Sequence, residues 1–397
     1  MSPTRAKPDA HIAARRISLS RVPKSTAINP AGGRAALVIA PQWVGDAIMS
    51  LPLIGQLSKE YDAVDVMAVP AVAAVYECCT EIRDIHTVAF VHGKLQWGLR
   101  RQTARQFRGR YETAVVLPNS IKSALVPWLA GIPTRRGMLG ESRYWLINDR
   151  RSLVPVDGKP AGSRPSMLDQ YLALADHAID RTAIDRFGLH RPVMRIPKER
   201  PSLGHHGLGQ ATLSEFLQYA IMAICPGAEY GPAKQWPAGH FAQVANEWLA
   251  GAKHRAVVIV GGPKDVNAAA AISAAIHTSD RALNIAGKTT LLEAFRWIAT
   301  ARIAVSNDSG LMHAAAALGV PVVGIFGSSD PHHTPPHAKA ARAVSLNLSC
   351  SPCFQRVCPL GTTACLRDLS PQLVMNAVNG LTADAPIVPD VASPASL

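Results

Sequence analysis

Three short stretches of this sequence carry side chains whose types and spacing could do chemistry together. They are Asn307-Asp308-Ser309-Gly310 with His313 just beyond, Lys234 in a loop rich in proline and glycine, and Gly45-Asp46. The first follows an apolar run at 302–305 that reads as a buried strand. It precedes an alanine-rich, helix-forming run that stops at Gly319, and Pro321 then opens the next apolar strand, 322–326. A helix starting at this turn leaves its first N–H groups without partners inside the helix. Its dipole adds partial positive charge, so the turn suits a phosphate. Gly310 lets a bound group approach the backbone closely, and His313 lies one turn in. Helix capping alone accounts for an Asp308 or a Ser309 at such a place, so a binding role requires a second half-site.

The elements around these residues supply one. A buried strand at 35–40 leads through Pro41-Gln42-Trp43-Val44-Gly45-Asp46 into a helix that runs to residue 57. Strand–helix alternation continues with strands at 65–69, 84–90 and 113–117, which predicts a parallel sheet with crossover helices. After 113–117 comes another polar turn opening a helix, carrying Asn119, Ser120 and Lys122. Between 154 and 209 prolines and glycines break the pattern, and only 167–178 reads as a helix there. A second series then begins. Strand 219–225 leads into a loop with Glu229 and Lys234 and a helix whose first residue is Pro237. Strand 256–260, the turn 261–265, strand 283–287 and helix 291–299 follow before the Asn-Asp-Ser-Gly turn, and a last helix spans 371–381. The expected organisation is α/β: a basic tail 1–33, a Rossmann-like domain 34–190, a second 191–385, and a tail 386–397. The sequence shows no internal repeat. Two open α/β domains facing each other present two sets of strand ends to one cleft.

Charge narrows the partners. The 397 residues carry a net charge of +13, which calls for an acidic partner: nucleic acid, an anionic membrane face or a phosphorylated substrate. Along the sequence the basic residues do not interleave with aromatics, which weighs against nucleic acid. The helix expected at 95–110 bears Arg100, Arg101, Arg105, Arg108 and Arg110 and no acid. It is either a solvated face or a surface that meets sugar or lipid phosphate. Residues 1–33 hold six Lys and Arg against Asp9 alone and read as a disordered tail. No apolar run reaches membrane-spanning length and no apolar leader opens the chain, so the expectation is a cytoplasmic protein. Seven cysteines in so long a chain suggest a reducing compartment rather than a disulfide scaffold. Cys350, Cys353, Cys358 and Cys365 could ligate zinc, but they lack the usual paired knuckles and read as loop thiols.

The absences narrow the chemistry further. No Gly-x-Gly-x-x-Gly follows the first strand, no Walker A pattern occurs and no Asp-x-Asp metal motif is present. A lysine and a helix N-terminus in the later half suit a diphosphate, and Asp46 offers a carboxylate from the earlier half. That set fits glycosyl transfer from a nucleotide sugar without a metal. A leaving nucleoside diphosphate needs charge stabilisation rather than a proton, whereas the acceptor hydroxyl needs a base. Attack opposite the leaving group would invert the anomeric centre. A non-catalytic nucleotide-sugar-binding protein is the alternative of another class.

Four ordered motifs together resemble the ADP-heptose:lipopolysaccharide heptosyltransferases: Pro41-Gln42-Trp43-Val44-Gly45-Asp46, residues 117–127, residues 225–237 and Asn307 to His313. The likeness covers about residues 35–380. The wording Trp-Val-Gly-Asp and Gly-Pro-Ala-Lys favours the enzymes that add the second heptose over those that add the first. The resemblance implies a GT-B fold, with the acceptor in the N-terminal domain and the donor in the C-terminal one. It implies inverting transfer of L-glycero-D-manno-heptose from ADP-heptose to the first heptose of the inner core on Kdo-lipid A, at the cytoplasmic face of the inner membrane, with no cofactor. It makes Asp46 the base and Lys234 the phosphate-binding lysine. Asp308 would hold heptose hydroxyls, with Ser309, Gly310 and His313 in the same donor motif. Glu229 and the 261–265 turn become donor contacts, and Asn119, Ser120 and Lys122 acceptor contacts. Heptosyltransferases of the first step, or related lipopolysaccharide transferases, are the alternative within the class.

Overall fold

The structure is a computed structural model that describes residues 33–91, 93–152, 165–175, 191–197 and 216–383. The expected tails, most of the proline-rich middle and the end of the helix expected at 167–178 lie outside these residues. Twelve strands form two parallel sheets among the described residues. The first comprises β1 (Ala35–Ile39), β2 (Ala63–Ala68), β3 (Asp84–Thr87), β4 (Thr113–Val116), β5 (Thr134–Met138) and β6 (Asp149–Arg151). The second comprises β7 (Ala220–Cys225), β8 (Arg255–Ile259), β9 (Ala282–Asn284), β10 (Ile303–Asn307), β11 (Val322–Ile325) and β12 (Ala341–Val344). Their orders are β3-β2-β1-β4-β5-β6 and β12-β11-β10-β7-β8-β9. Counted from each sheet's own first strand these are one order, so the architecture repeats where the sequence shows no repeat. The central strands β1, β4, β7 and β10 are buried on both faces, which explains their unbroken apolar runs.

Helices cover the sheets: α1 (Val44–Met49), α2 (Leu51–Glu60), α3 (Pro70–Glu77), α4 (Trp97–Phe107), α5 (Ile121–Leu129) and α6 (Met167–Leu172) in the first lobe. The second has α7 (Ala238–Gly251), α8 (Val266–Ala274), α9 (Leu291–Ala299), α10 (Gly310–Ala317), α11 (Ala364–Arg367) and α12 (Pro371–Thr382). The single helix expected up to residue 57 is two. Pro52 stands in the first turn of α2 and has no N–H to continue α1, and Ser50 closes α1 by donating its hydroxyl to Ala47 O at 2.7 Å. Pro237 caps α7 from outside rather than opening it. Strands β5, β6 and β12 escaped the sequence reading because arginines interrupt them. Arg136 of β5 is buried, donating to Asp149 of β6 at 2.7 Å and to Leu174 O at 3.1 Å.

In each sheet the strand order reverses between neighbouring strands whose following turns open a crevice: β1 beside β4, and β7 beside β10. Ligands of open α/β sheets bind at such switch points. The turn after β1 carries Asp46, that after β4 carries Asn119 to Lys122, that after β7 carries Glu229 and Lys234, and that after β10 carries Asp308 to His313.

The two lobes belong to one compact unit and meet along α1 and α10. Apart from His313, helix α10 is apolar because it serves two cores. Its Met312, Ala315 and Ala316 join the core of the second lobe, while Ala314 and Ala317 join Ile48, Leu53 and Tyr76 of the first. Phe295 and Leu292 of α9 enter the same shared cluster, and Phe295 is fully buried. Small residues allow the approach. A Cβ on Gly310 would stand 2.8 Å from Val44 Cβ and 3.3 Å from the Gly45 nitrogen. We therefore expect Gly310→Ala to destabilise the fold by about 1–3 kcal/mol, as overpacking does, measured by urea unfolding. Unchanged stability would mean that the helices part freely.

Candidate active site

Two cavities open beside the α1–α10 contact. One, of about 440 Å³, lies in the first lobe and includes Asp46, Asn119, Ser120 and Lys122 in its wall. The other, of about 450 Å³, is walled mainly by the second lobe with Gly227, Glu229, Gly262, Thr290, Ser309 and Gly310. Gln42 and Trp43, in the turn after β1, belong to both walls and so stand between them.

The first cavity is held by a cation that the sequence reading missed. Arg143 is fully buried. Its guanidinium donates to Pro118 O at 2.6 Å, Met138 O at 2.6 Å, Ser123 Oγ at 3.2 Å and Asn119 Oδ1 at 3.3 Å. Burial draws its pKa down to about 10, still far above neutrality. It pins the turn that carries Asn119 and Ser120, but it sits in an unpatterned loop that gave no signal. Ser120 caps α5 by accepting from the Ser123 nitrogen at 3.3 Å, and Lys122 Nζ donates to Gly93 O at 2.9 Å. Tyr171 and Met167 of α6 complete the wall and were likewise unforeseen.

Between the cavities the sequence-predicted residues converge. Lys234, at the end of the short 3-10 turn Pro232–Lys234, pairs with Asp308 Oδ2 at 2.5 Å. Asp308 Oδ1 stands 3.9 Å from His313 Nε2 and accepts from Thr334 Oγ1 at 3.4 Å. Asn307 fixes the neighbouring backbone, accepting from the Trp236 nitrogen at 3.2 Å and donating to Pro226 O at 2.7 Å. Tyr230 presents its ring to Lys234 Nζ, 5.2 Å from the centroid, and to the Arg356 guanidinium at 5.1 Å. Gly45 and His313 touch across the seam: a Cβ on Gly45 would lie 3.0 Å from His313 Cδ2. Asp46, on the other side, feels both Lys234 and Asp308.

The electrostatics divide these groups. Burial pushes the Asp46 carboxyl up to about 6, with Lys234 opposing and Asp308 reinforcing the shift. Burial also pushes His313 down to about 4, against the pull of Asp308. At neutral pH the site therefore holds an ionised, weakly solvated Asp46 and a neutral His313, which suits Asp46 to take a proton. Ser309 is the N-cap of α10 but makes no side-chain cap bond. The helix N-terminus therefore faces the second cavity without its own serine occupying it. Asp265 shapes the same cavity. Its Oδ2 accepts from the Gly262 nitrogen at 2.8 Å, and a Cβ on Gly227 would fall 2.7 Å from it.

Not every predicted residue joins the cluster. Glu229 lies in the second cavity's wall, ion-paired with Lys264, and is exposed. Lys234, Asp308 and His313 form the cluster, but none of them lines either cavity. Thr289 and Thr290, at the start of α9, were missed, although Thr290 with Glu293 forms a capping box legible as Thr-x-x-Glu. Cys350, Cys353, Cys358 and Cys365 line one small recess together. Among the described residues no three His, Cys, Asp or Glu side chains are arranged to hold a metal ion.

If Asp46 takes a proton in the rate-limiting step, the rate falls as pH drops through about 6, because the carboxylate is lost below that value. His313, which is neutral above about 4, contributes no limb there. Lys234 lowers the Asp46 pKa, so Lys234→Met should move the acid limb of a pH–rate profile upward. A limb that stays in place in that variant would uncouple the two residues.

Comparison with known proteins agrees with this fold. The family model for glycosyltransferase family 9 (heptosyltransferase) matches residues 100–364. The chain is 39% identical over 351 residues to the lipopolysaccharide heptosyltransferase 2 of Escherichia coli (strain K12), covering 87% of this chain and 97% of that one. The solved structure of the E. coli ADP-heptose lipopolysaccharide heptosyltransferase II is similar at a TM-score of 0.72 and 36% identity, covering 88% of this chain and 98% of that one. An E. coli heptosyltransferase solved with ADP shares the fold at a TM-score of 0.61 and 16% identity, covering 87% of this chain and 99% of that one. Two Rossmann-like lobes with their switch points turned to one seam, and a match along most of the chain, place this protein in glycosyltransferase family 9, the heptosyltransferase family.

Proposed function

We propose that this chain moves L-glycero-D-manno-heptose from ADP-heptose to the first heptose of the lipopolysaccharide inner core, on Kdo-lipid A, with inversion at the anomeric carbon. The observation that carries the mechanism is the placement of a desolvated Asp46 opposite the Lys234–Asp308 pair, between two cavities of substrate size. ADP-heptose occupies the cavity of the second lobe and the acceptor sugar that of the first. Asp46 takes the proton of the attacking hydroxyl as its oxygen bonds to the anomeric carbon. The bond from that carbon to the phosphate oxygen breaks, and ADP leaves with the electron pair. Lys234 and the N–H groups at the start of α10 offset the charge that grows on the diphosphate. Asp308 orients Lys234 and offers its second oxygen to heptose hydroxyls, beside neutral His313.

In this reading Ser309, Gly310 and Glu229 contact the donor, Asn119, Ser120 and Lys122 contact the acceptor, and no cofactor or metal is used. The relatives' names support the second-heptose reading over the first-heptose alternative. The protein works at the cytoplasmic face of the inner membrane, meeting lipid at its surface. No helix among the described residues is long and apolar enough to cross a membrane.

Asp46→Asn should lower turnover about 10²–10⁴-fold, the usual contribution of a positioned base, and leave ADP affinity near wild type by calorimetry. Near-normal turnover would remove Asp46 as base. Purified Kdo-lipid A carrying one heptose should be a substrate and the heptose-free form should not. The reverse preference would assign the chain to the first step.

A further inference from the structure

The exposed surface around the mouth of the Asp46 cavity combines features that no catalytic step uses. Helices α4 and α5 pack side by side, and the loop after β5 lies along α5. The Trp128 and Trp145 rings meet edge to face at 5.4 Å, and the Ile121 nitrogen donates to Glu141 Oε2 at 2.9 Å. Together these three segments expose Trp97, Ile121, Trp128, Leu139, Tyr144 and Trp145. Trp145 is 60% and Tyr144 54% exposed, which is unusual for side chains of that size. Basic residues occupy the same three segments and their flanks. Arg101, Arg105 and Arg108 are exposed on or beside α4, Lys94 lies at the cavity mouth, and the Arg150 guanidinium sits 5.7 Å from the Tyr144 ring. From residue 91 to residue 148 there are ten Lys and Arg, of which Arg100, Arg136 and Arg143 are buried, against two acids, Glu112 and Glu141.

We infer that this face docks on an anionic lipid bilayer. Tryptophan and tyrosine favour the boundary between headgroups and acyl chains, and clustered arginine and lysine are drawn to anionic headgroups. The surface is continuous with the cavity: Val91, Lys94, Ser120, Lys122 and Glu141 form its rim and its wall. Docking this face therefore sets the cavity mouth at headgroup depth, where the sugars of a membrane-anchored acceptor lie. The inference rests on the proposed acceptor being a lipid, and it names the part of the chain that meets it.

The test uses the full chain and vesicles of phosphatidylcholine with or without phosphatidylglycerol. Wild type should sediment with the anionic vesicles and much less with the neutral ones, with salt weakening the binding. Two double variants, Tyr144→Ser with Trp145→Ser and Arg101→Glu with Arg105→Glu, should each lower partition onto anionic vesicles about tenfold. Both should keep the wild-type melting temperature. Both should also keep wild-type turnover on a deacylated, water-soluble acceptor while losing turnover on acceptor embedded in vesicles. Equal partition of wild type and variants would overturn the inference. So would a dimer that the aromatic variant converts to monomer with no change in vesicle binding, since the face would then belong to a second copy of this chain. If wild type binds vesicles but transfers no heptose to the soluble acceptor, the proposed function fails and the docking surface stands.

Discussion

The meeting of α1 and α10 at two glycines governs the rest of this structure. Val44 and Gly45 come so close to Gly310 that no side chain fits between them. Each helix follows the central strand at its sheet's switch point, so their N-termini deliver the two sets of strand-end turns to one place. Asp46 then stands within electrostatic reach of Lys234 and Asp308, although they come from different lobes. A bulkier residue at either glycine would separate Asp46 from Lys234 and Asp308.

Low solvation then sorts the ionisable groups. Asp46 is half-buried and His313 buried, yet desolvation moves their proton affinities in opposite directions, because one is charged when deprotonated and the other when protonated. The outcome near neutrality is a single anionic proton acceptor facing a compensated Lys–Asp pair. Such division of roles by environment, rather than by residue type, is how one fold runs proton transfer and charge stabilisation in one cleft.

Much of this was legible in the sequence, because the strands that matter most are the ones buried on both faces. Their apolar runs are unbroken, and the turns after them carry the polar residues that stand out. Asp46, Lys234, Asp308 and His313 could therefore be read as a set once two half-sites had been found. Strands β5, β6 and β12, at or next to the sheet edges, could not, since arginines interrupt the apolar pattern, and the Arg136–Asp149 pair shows its meaning only after the strands have paired. Arg143 is hidden for the same reason: its five carbonyl and side-chain acceptors come from the turn after β4 and from Met138, which only the folded chain brings together around it. The break at Ser50 was marked by Pro52 but outweighed by the continuous apolar pattern on either side of it. The aromatic ridge beside α4 also eluded the sequence, because adjacency on a surface leaves no mark in linear spacing.

The apolar cluster that α9 and α10 share with the first lobe restricts how this molecule can breathe. Swinging the lobes apart like a book would carry Phe295, Leu292, Ala314 and Ala317 into water, and each large side chain bared costs roughly 1.5–3 kcal/mol. Opening along that path is therefore opposed by the loss of this shared cluster.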